Sequence, residues 1–266
     1  MLPSAACLDL TATMTPAVLR DVMTSLHLTA ADVSIQAVLP DRPNIFLDVK
    51  NCRANDYERL EWLAVLVEQQ QETCPKTLVF ATSISTVSDV YEWLMARLHQ
   101  KAFQNQTNSR LVSMFHAHIT PSLQQNIIND FRKPDSVIRV VVSTIAFGMG
   151  VQIPDVRQVV HWGRVSSLMT FWQQVGRSGR DGLAAHATWY ATSTTGQDSE
   201  IFGAIKAGEK CQRHTLLAGF VVDEATEQQL QCLQSSRDQA VSCERCTYLL
   251  CTCCTVCRQN CPCSKN

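Results

Sequence analysis

Between residues 76 and 191 the apolar positions fall into two alternating rhythms. The short runs KTLVFAT (76–82), LVSMF (111–115), VIRVVVS (137–143), RQVVHW (157–162) and AHATWYA (185–191) are dense in β-branched and aromatic residues and predict strands. Segments of helical period separate them. Ile84, Val87, Tyr91, Leu94 and Leu98 share one helical face. Leu123, Ile127 and Phe131 share another, behind Thr120-Pro121, an N-cap followed by proline at the first helical position. A further helix is expected over about 166–176. Strand and helix repeated in this order predict an α/β fold, a parallel sheet flanked by helices.

The two ends of the chain follow other patterns. CLDLTAT (7–13) reads as a strand end, TPAVLRDVMTSLHL as a capped helix beginning at Thr15-Pro16, and DRPNIFLDVK (41–50) as an extended connection. Together they read as a fragment of something larger. After about residue 197 the pattern turns helical, reaches Cys211 and ends in a cysteine-rich tail.

Composition narrows the class. Hydrophobic residues at 45% and charged residues at 18% describe an ordinary globular chain, and no apolar run is long enough to cross a bilayer, so no membrane partner is expected. The first fourteen residues carry no Lys or Arg and no continuous apolar core, which argues against a signal peptide and for an intracellular protein. A net charge of -1 offers nucleic acid no global attraction, so any contact must come from local groups. Of the 13 cysteines, eight lie between Cys243 and Cys263. That crowding suggests metal, because a disulfide scaffold would spread its cysteines through a short secreted chain.

The segment FWQQVGRSGRDG (171–182) sets Arg177 and Arg180 between glycines. Guanidinium groups fork onto phosphate oxygens, and glycine admits close backbone approach, so phosphate is the natural ligand. Parallel sheets bind ligands at the carboxyl ends of their strands, where Ser143-Thr144, His161 and the arginine loop are expected to gather. A nucleotide enzyme also needs a phosphate loop ending in Gly-Lys-Ser/Thr. No Gly-Lys pair occurs in these 266 residues, and the first glycine is Gly148.

TIAFGMGVQIPDVRQVVHW (144–162) followed by QQVGRSGRDG (173–182) resembles motifs V and VI of the RecQ-family DNA helicases of superfamily 2. LVFATSISTVSDVYEWL resembles the motif IV region, FHAHI with the downstream NDF the next block, DRPNI the segment joining two RecA-like lobes, and LTAT (10–13) motif III. CQRHTLL (211–217) resembles the start of the zinc subdomain. The resemblance implies a remnant of the first lobe and linker over 1–50, a second RecA-like lobe over 51–197, and a helical zinc-binding subdomain over 198–266. It implies a motor that hydrolyses ATP with Mg2+ between two lobes while tracking single-stranded DNA or unwinding duplex from 3′ toward 5′. Arg177, Arg180 and Gln173 would then reach nucleotide bound on the first lobe, with Arg180 as the arginine finger. Thr144, Gly148, Gly150, Asp155, Gly176 and Gly179 would sense nucleotide and DNA backbone. This chain alone is expected to be inactive as an ATPase, and a first lobe supplied in trans is the partner that follows.

The same resemblance implies structural Zn2+ held by Cys211 with Cys251, Cys254 and Cys257. The long segment 212–250 and spare sulfurs at 243, 246, 253, 261 and 263 depart from the family, and Cys243, Cys246, Cys254 and Cys257 form an equally legal set on spacing. A non-catalytic nucleic-acid-binding or partner-docking module is the competing class. A DEAD-box RNA helicase lobe is disfavoured by FGMG, DRPNI and the cysteine tail. Asp223-Glu224 reads as a solvated helix start, Trp162 and Trp172 as core, and His116 is left open.

Overall fold

A computed structural model describes residues 8–104, 109–148, 152–165, 167–192, 198–238 and 253–260. Six strands, β1 (Ile45–Asn51), β2 (Lys76–Ala81), β3 (Val112–Phe115), β4 (Val140–Ser143), β5 (Val156–Trp162) and β6 (Ala185–Ala191), form one sheet in the order β1-β6-β5-β2-β4-β3. Every neighbouring pair is parallel. Side-chain alternation splits the core in two. Val79, Ala81, Val140, Val142, Val160 and Trp162 pack on one face with α2 (Glu61–Gln70) and α3 (Ile84–Leu98). Leu78, Phe80, Val141 and Val159 pack on the other, under α4 (Pro121–Arg132), α5 (Leu168–Val175), α6 (Ser199–Ala207), α7 (Gln212–Ala218) and α8 (Glu224–Asp238). Burial on both faces is why these strands read as nearly continuous apolar runs.

Side-chain caps close several helices, at Thr15 and Thr120 as expected. Thr120 Oγ1 accepts from Leu123 N at 3.4 Å, and Ser83 and Ser167 do the same for α3 and α5. α1 (Pro16–Ser25), capped by Thr15, buries no residue.

Two segments differ from the sequence reading. Residues 45–51 are not a connection but the edge strand β1, paired with β6 from Ile45↔Ala185 to Asn51↔Ala191. The sheet therefore begins upstream of the boundary placed at residue 50. Ile45, Phe46 and Leu47 are buried, but the charged and proline-bearing residues before them hid the strand signal. CLDLTAT forms no strand in its described part, and Leu8 and Leu10 are each 80% exposed because no neighbouring strand pairs with them.

Candidate arginine-loop and cysteine sites

α5 leaves the carboxyl edge of the sheet and runs back against the strands, so residues 176–184 arrive at the amino edge. There Gly179 N donates to the carbonyl of Val156, the first residue of β5, at 2.9 Å. This corrects the expectation that the arginine loop shares the carboxyl edge with Ser143-Thr144. Thr144 does lie at that edge: its amide donates to Phe115 O, and its Oγ1 accepts from Ala146 N at 3.4 Å. Gly148 ends the short helical turn Ile145–Gly148 that follows. Gly150 falls outside the described residues. Asp155 lies at the amino edge and not beside Thr144. Its carboxylate meets Lys76 Nζ at 2.8 Å, and that ammonium, only 1% exposed, also donates to Lys133 O. A buried cation needs such a partner, so the Asp155 side chain is occupied structurally.

Residues of the DRPNI segment organise the arginine loop. Arg42 donates from Nη1 to Gly176 O (3.3 Å) and from Nη2 to Ser178 O (3.2 Å) and Gly179 O (2.9 Å). Asn44 Nδ2 donates to Gly179 O and Leu183 O, both at 2.8 Å. Gly179 has φ +56°, and a Cβ there would stand 2.4 Å from Asn44 Nδ2 and 2.8 Å from Leu183 O. Glycine is thus required by the approach of the linker. At Gly176 a Cβ would lie 3.2 Å from Trp172 O. Arg157 and Asp181 form an ion pair beyond the arginines.

Arg177 and Arg180 are both partly buried. Burial first, and then the charge of Arg180, lower the pKa of Arg177; burial and then Arg42 lower that of Arg180. Three guanidinium groups therefore crowd one loop, an arrangement that a bound anion relieves. Arg180 Nε donates to Gly176 O at 3.3 Å, the same carbonyl that Arg42 engages. Gln173 is exposed, and its Nε2 donates to Oγ1 of the buried Thr13 in LTAT at 3.2 Å. Sequence reasoning missed Arg42 and Asn44 as loop holders, since DRPNI carries no period and its only signal was polar residues flanking a proline.

Among the described residues, three of the four expected cysteines come together with one more. Cys211, Cys253, Cys254 and Cys257 bring four sulfurs within 4.8 Å of one another, with Cys211 at 3.8 Å from Cys253 and 3.9 Å from Cys254. Tetrahedral zinc with bonds of about 2.3 Å separates its thiolates by about 3.8 Å, so this donor set fits such an ion. Cys253, passed over as spare because the C-x2-C-x2-C spacing skips it, joins three of the expected ligands; Cys251, Cys243 and Cys246 lie outside the described residues. Cys211 also caps α7, its sulfur accepting from His214 N at 3.3 Å. Contact with Cys253 pushes the Cys211 thiol up, and the same contact draws Cys253 down to about 7. Ionisation is thus spread unequally over a buried sulfur cluster.

The remaining candidates resolve as structure. Trp162 and Trp172 are buried, donating to Ala54 O and Pro40 O. His161 is buried against the Gln174 side chain (2.6 Å) and Arg164 O (3.1 Å). The buried His116 accepts at Nδ1 from His118 N. Asp223 caps α8 by accepting from Thr226 N at 2.8 Å. A cleft of ≈ 910 Å³ lined by Arg53, Tyr57, Arg59 and Trp93 shares no residue with either site.

Residues 58–182 match the family described as "Helicase conserved C-terminal domain". The parallel sheet agrees: S. cerevisiae Dbp5 bound to RNA and ADP BeF3 superposes with a TM-score of 0.50 at 17% identity, over 85% of this chain and 53% of that one. Residues 58–182 thus carry a helicase C-terminal domain on a parallel, helix-flanked sheet. Mouse "Bifunctional 3'-5' exonuclease/ATP-dependent helicase WRN" is 28% identical over 191 residues, 71% of this chain and 13% of its own length. "ATP-dependent DNA helicase RecQ" of Pasteurella multocida (strain Pm70) is 30% identical over 188 residues, 71% of this chain and 26% of its own. Over about 190 residues the chain is thus similar to RecQ-family helicases, and its residues 58–182 match the helicase C-terminal domain. It spans 13% and 26% of the length of those two relatives.

Proposed function

We propose that this chain works as the C-terminal half of a RecQ-like ATP-dependent 3′–5′ DNA helicase. One observation carries the reading: Arg177 and Arg180 stand on a loop held rigidly by backbone contacts, crowded by a third guanidinium, one helical turn after Gln173, which touches Thr13. Charge developing on a transferred phosphoryl is stabilised by a guanidinium brought from a separate rigid body, which couples lobe closure to hydrolysis. Arg180 is the arginine finger and Arg177 its companion. ATP with Mg2+ is held mainly by a first RecA-like lobe, since these 266 residues contain no Gly-Lys pair from which a phosphate loop could be built. Thr144 and Gly148, at the opposite edge, meet the DNA backbone. Zn2+ on Cys211, Cys253, Cys254 and Cys257 is structural, and the protein works inside the cell, in the nucleus of a eukaryote.

The chain alone is expected to show no DNA-stimulated ATPase activity. Mixed with a separately expressed RecQ-family first lobe, it should restore turnover, and Arg180→Ala should reduce that turnover by about a thousandfold or more. Salt-sensitive single-strand binding that ignores ATP, with no turnover in the mixture, would favour the non-catalytic module instead.

A further inference from the structure

The arginine loop is held from a second direction, through a side chain that neither catalysis nor metal binding uses. Arg213, in the first turn of α7 two residues after Cys211, is 0% exposed. Its Nη1 donates to Asp41 Oδ1 (2.8 Å) and Arg42 O (2.9 Å), and its Nη2 donates to Ile45 O and Cys253 O. A buried guanidinium with these acceptors ties the cysteine segment to the backbone of residues 41–45 at fixed geometry. Arg42, whose carbonyl Arg213 grips, sends its own guanidinium to Gly176, Ser178 and Gly179. Gly176 O is shared with Arg180 Nε. The path from cysteine sulfur to arginine finger therefore runs through two forked cations and one short piece of backbone.

We infer that Arg42 is a positioning residue for Arg177 and Arg180, and that Arg213 couples it to the cysteine cluster, so that metal occupancy sets the order of the arginine loop. Arg42 spreads its donors over a planar fork that reaches three carbonyls, a geometry that a lysine's single nitrogen does not reproduce, and it adds positive charge beside Arg180. A charge brought so close to another of the same sign works against the loop unless its geometry is useful. The inference rests on the reading that Arg177 and Arg180 meet a phosphate.

Amide hydrogen exchange on the full metal-loaded chain tests it without requiring activity. In Arg42→Lys and in Arg213→Lys, exchange over 176–182 should quicken by about tenfold or more, the size of one lost charge-assisted hydrogen bond, while β2 and β4 keep their protection. Stripping the metal from the wild type with a chelator should quicken the same segment. Wild-type protection of 176–182 in Arg42→Lys, exchange rising equally across the whole sheet, or a loop indifferent to chelation would each overturn the inference. In the two-lobe mixture, Arg42→Lys should lower kcat and leave KM nearly unchanged. If Arg180→Ala has no effect there, the phosphate reading fails on its own, whatever the exchange data show.

Discussion

Single residues in this lobe carry charge into places where water does not follow. Lys76 shows the cost most clearly, because its ammonium depends on Asp155 and the carbonyl of Lys133. Asp155→Ala should lower unfolding free energy in urea by about 3 kcal/mol, since it strands a buried cation. Replacing both partners with apolar residues, Lys76→Met with Asp155→Leu, should recover most of that loss. A single variant as stable as wild type would show that Asp155 does not serve the lysine. His161 sets a pH dependence. Burial holds its pKa below the ordinary 6.5, so the unfolded chain takes up the proton more readily than the folded one. Its contribution is present above about pH 6.5 and is lost as the pH falls below that value. His186, on the exposed side of β6, is shifted the same way, by desolvation of its ring first and then by Arg258. The urea midpoint should therefore drop between about pH 7.5 and 5.5, before most carboxylates titrate, and His161→Gln should flatten much of that slope.

At the scale of elements, β1 sits at one edge of the sheet and would expose a row of unpaired backbone groups. The cysteine segment covers part of that edge. Cys254 forms a parallel bridge with Leu47, Thr255 Oγ1 donates to Asp48 Oδ1 at 2.7 Å, and Arg258, on α9 (Thr255–Gln259), lies 3.9 Å from the Phe46 ring centroid. The cysteine segment therefore shields a strand, and the proposed Zn2+ would fix that cover in place. Chelation, or Cys254→Ser, should lower Tm and bring concentration-dependent light scattering, with Cys52→Ser as the silent control. Unchanged Tm and clear solutions after either treatment would count against the protective role. The helices needed less help from elsewhere in the chain: α3, α4 and α5 were legible because their caps and apolar spacing lie within about four turns of sequence. β1 was not, because its strand character comes from pairing with β6.

Across the sheet the two candidate sites are set apart. Thr144 and Gly148 lie where the strands end, and Arg177 and Arg180 lie where they begin, with the length of the sheet between them. Under the proposed function, DNA would meet one edge and nucleotide the other, so that closure against a first lobe would move both contacts as one body. The parallel sheet, the caps and the arginine pair with its glycines could be read directly from the chain, because period, cap chemistry and motif spacing are properties of neighbouring residues. The edge that receives the arginines, the grip of Arg42 on Gly179 across 137 positions, and the entry of Cys253 into the sulfur cluster came only with folding. Each joins residues far apart in the sequence, and no local pattern records which carbonyl or sulfur a side chain will meet once the sheet has brought distant segments together.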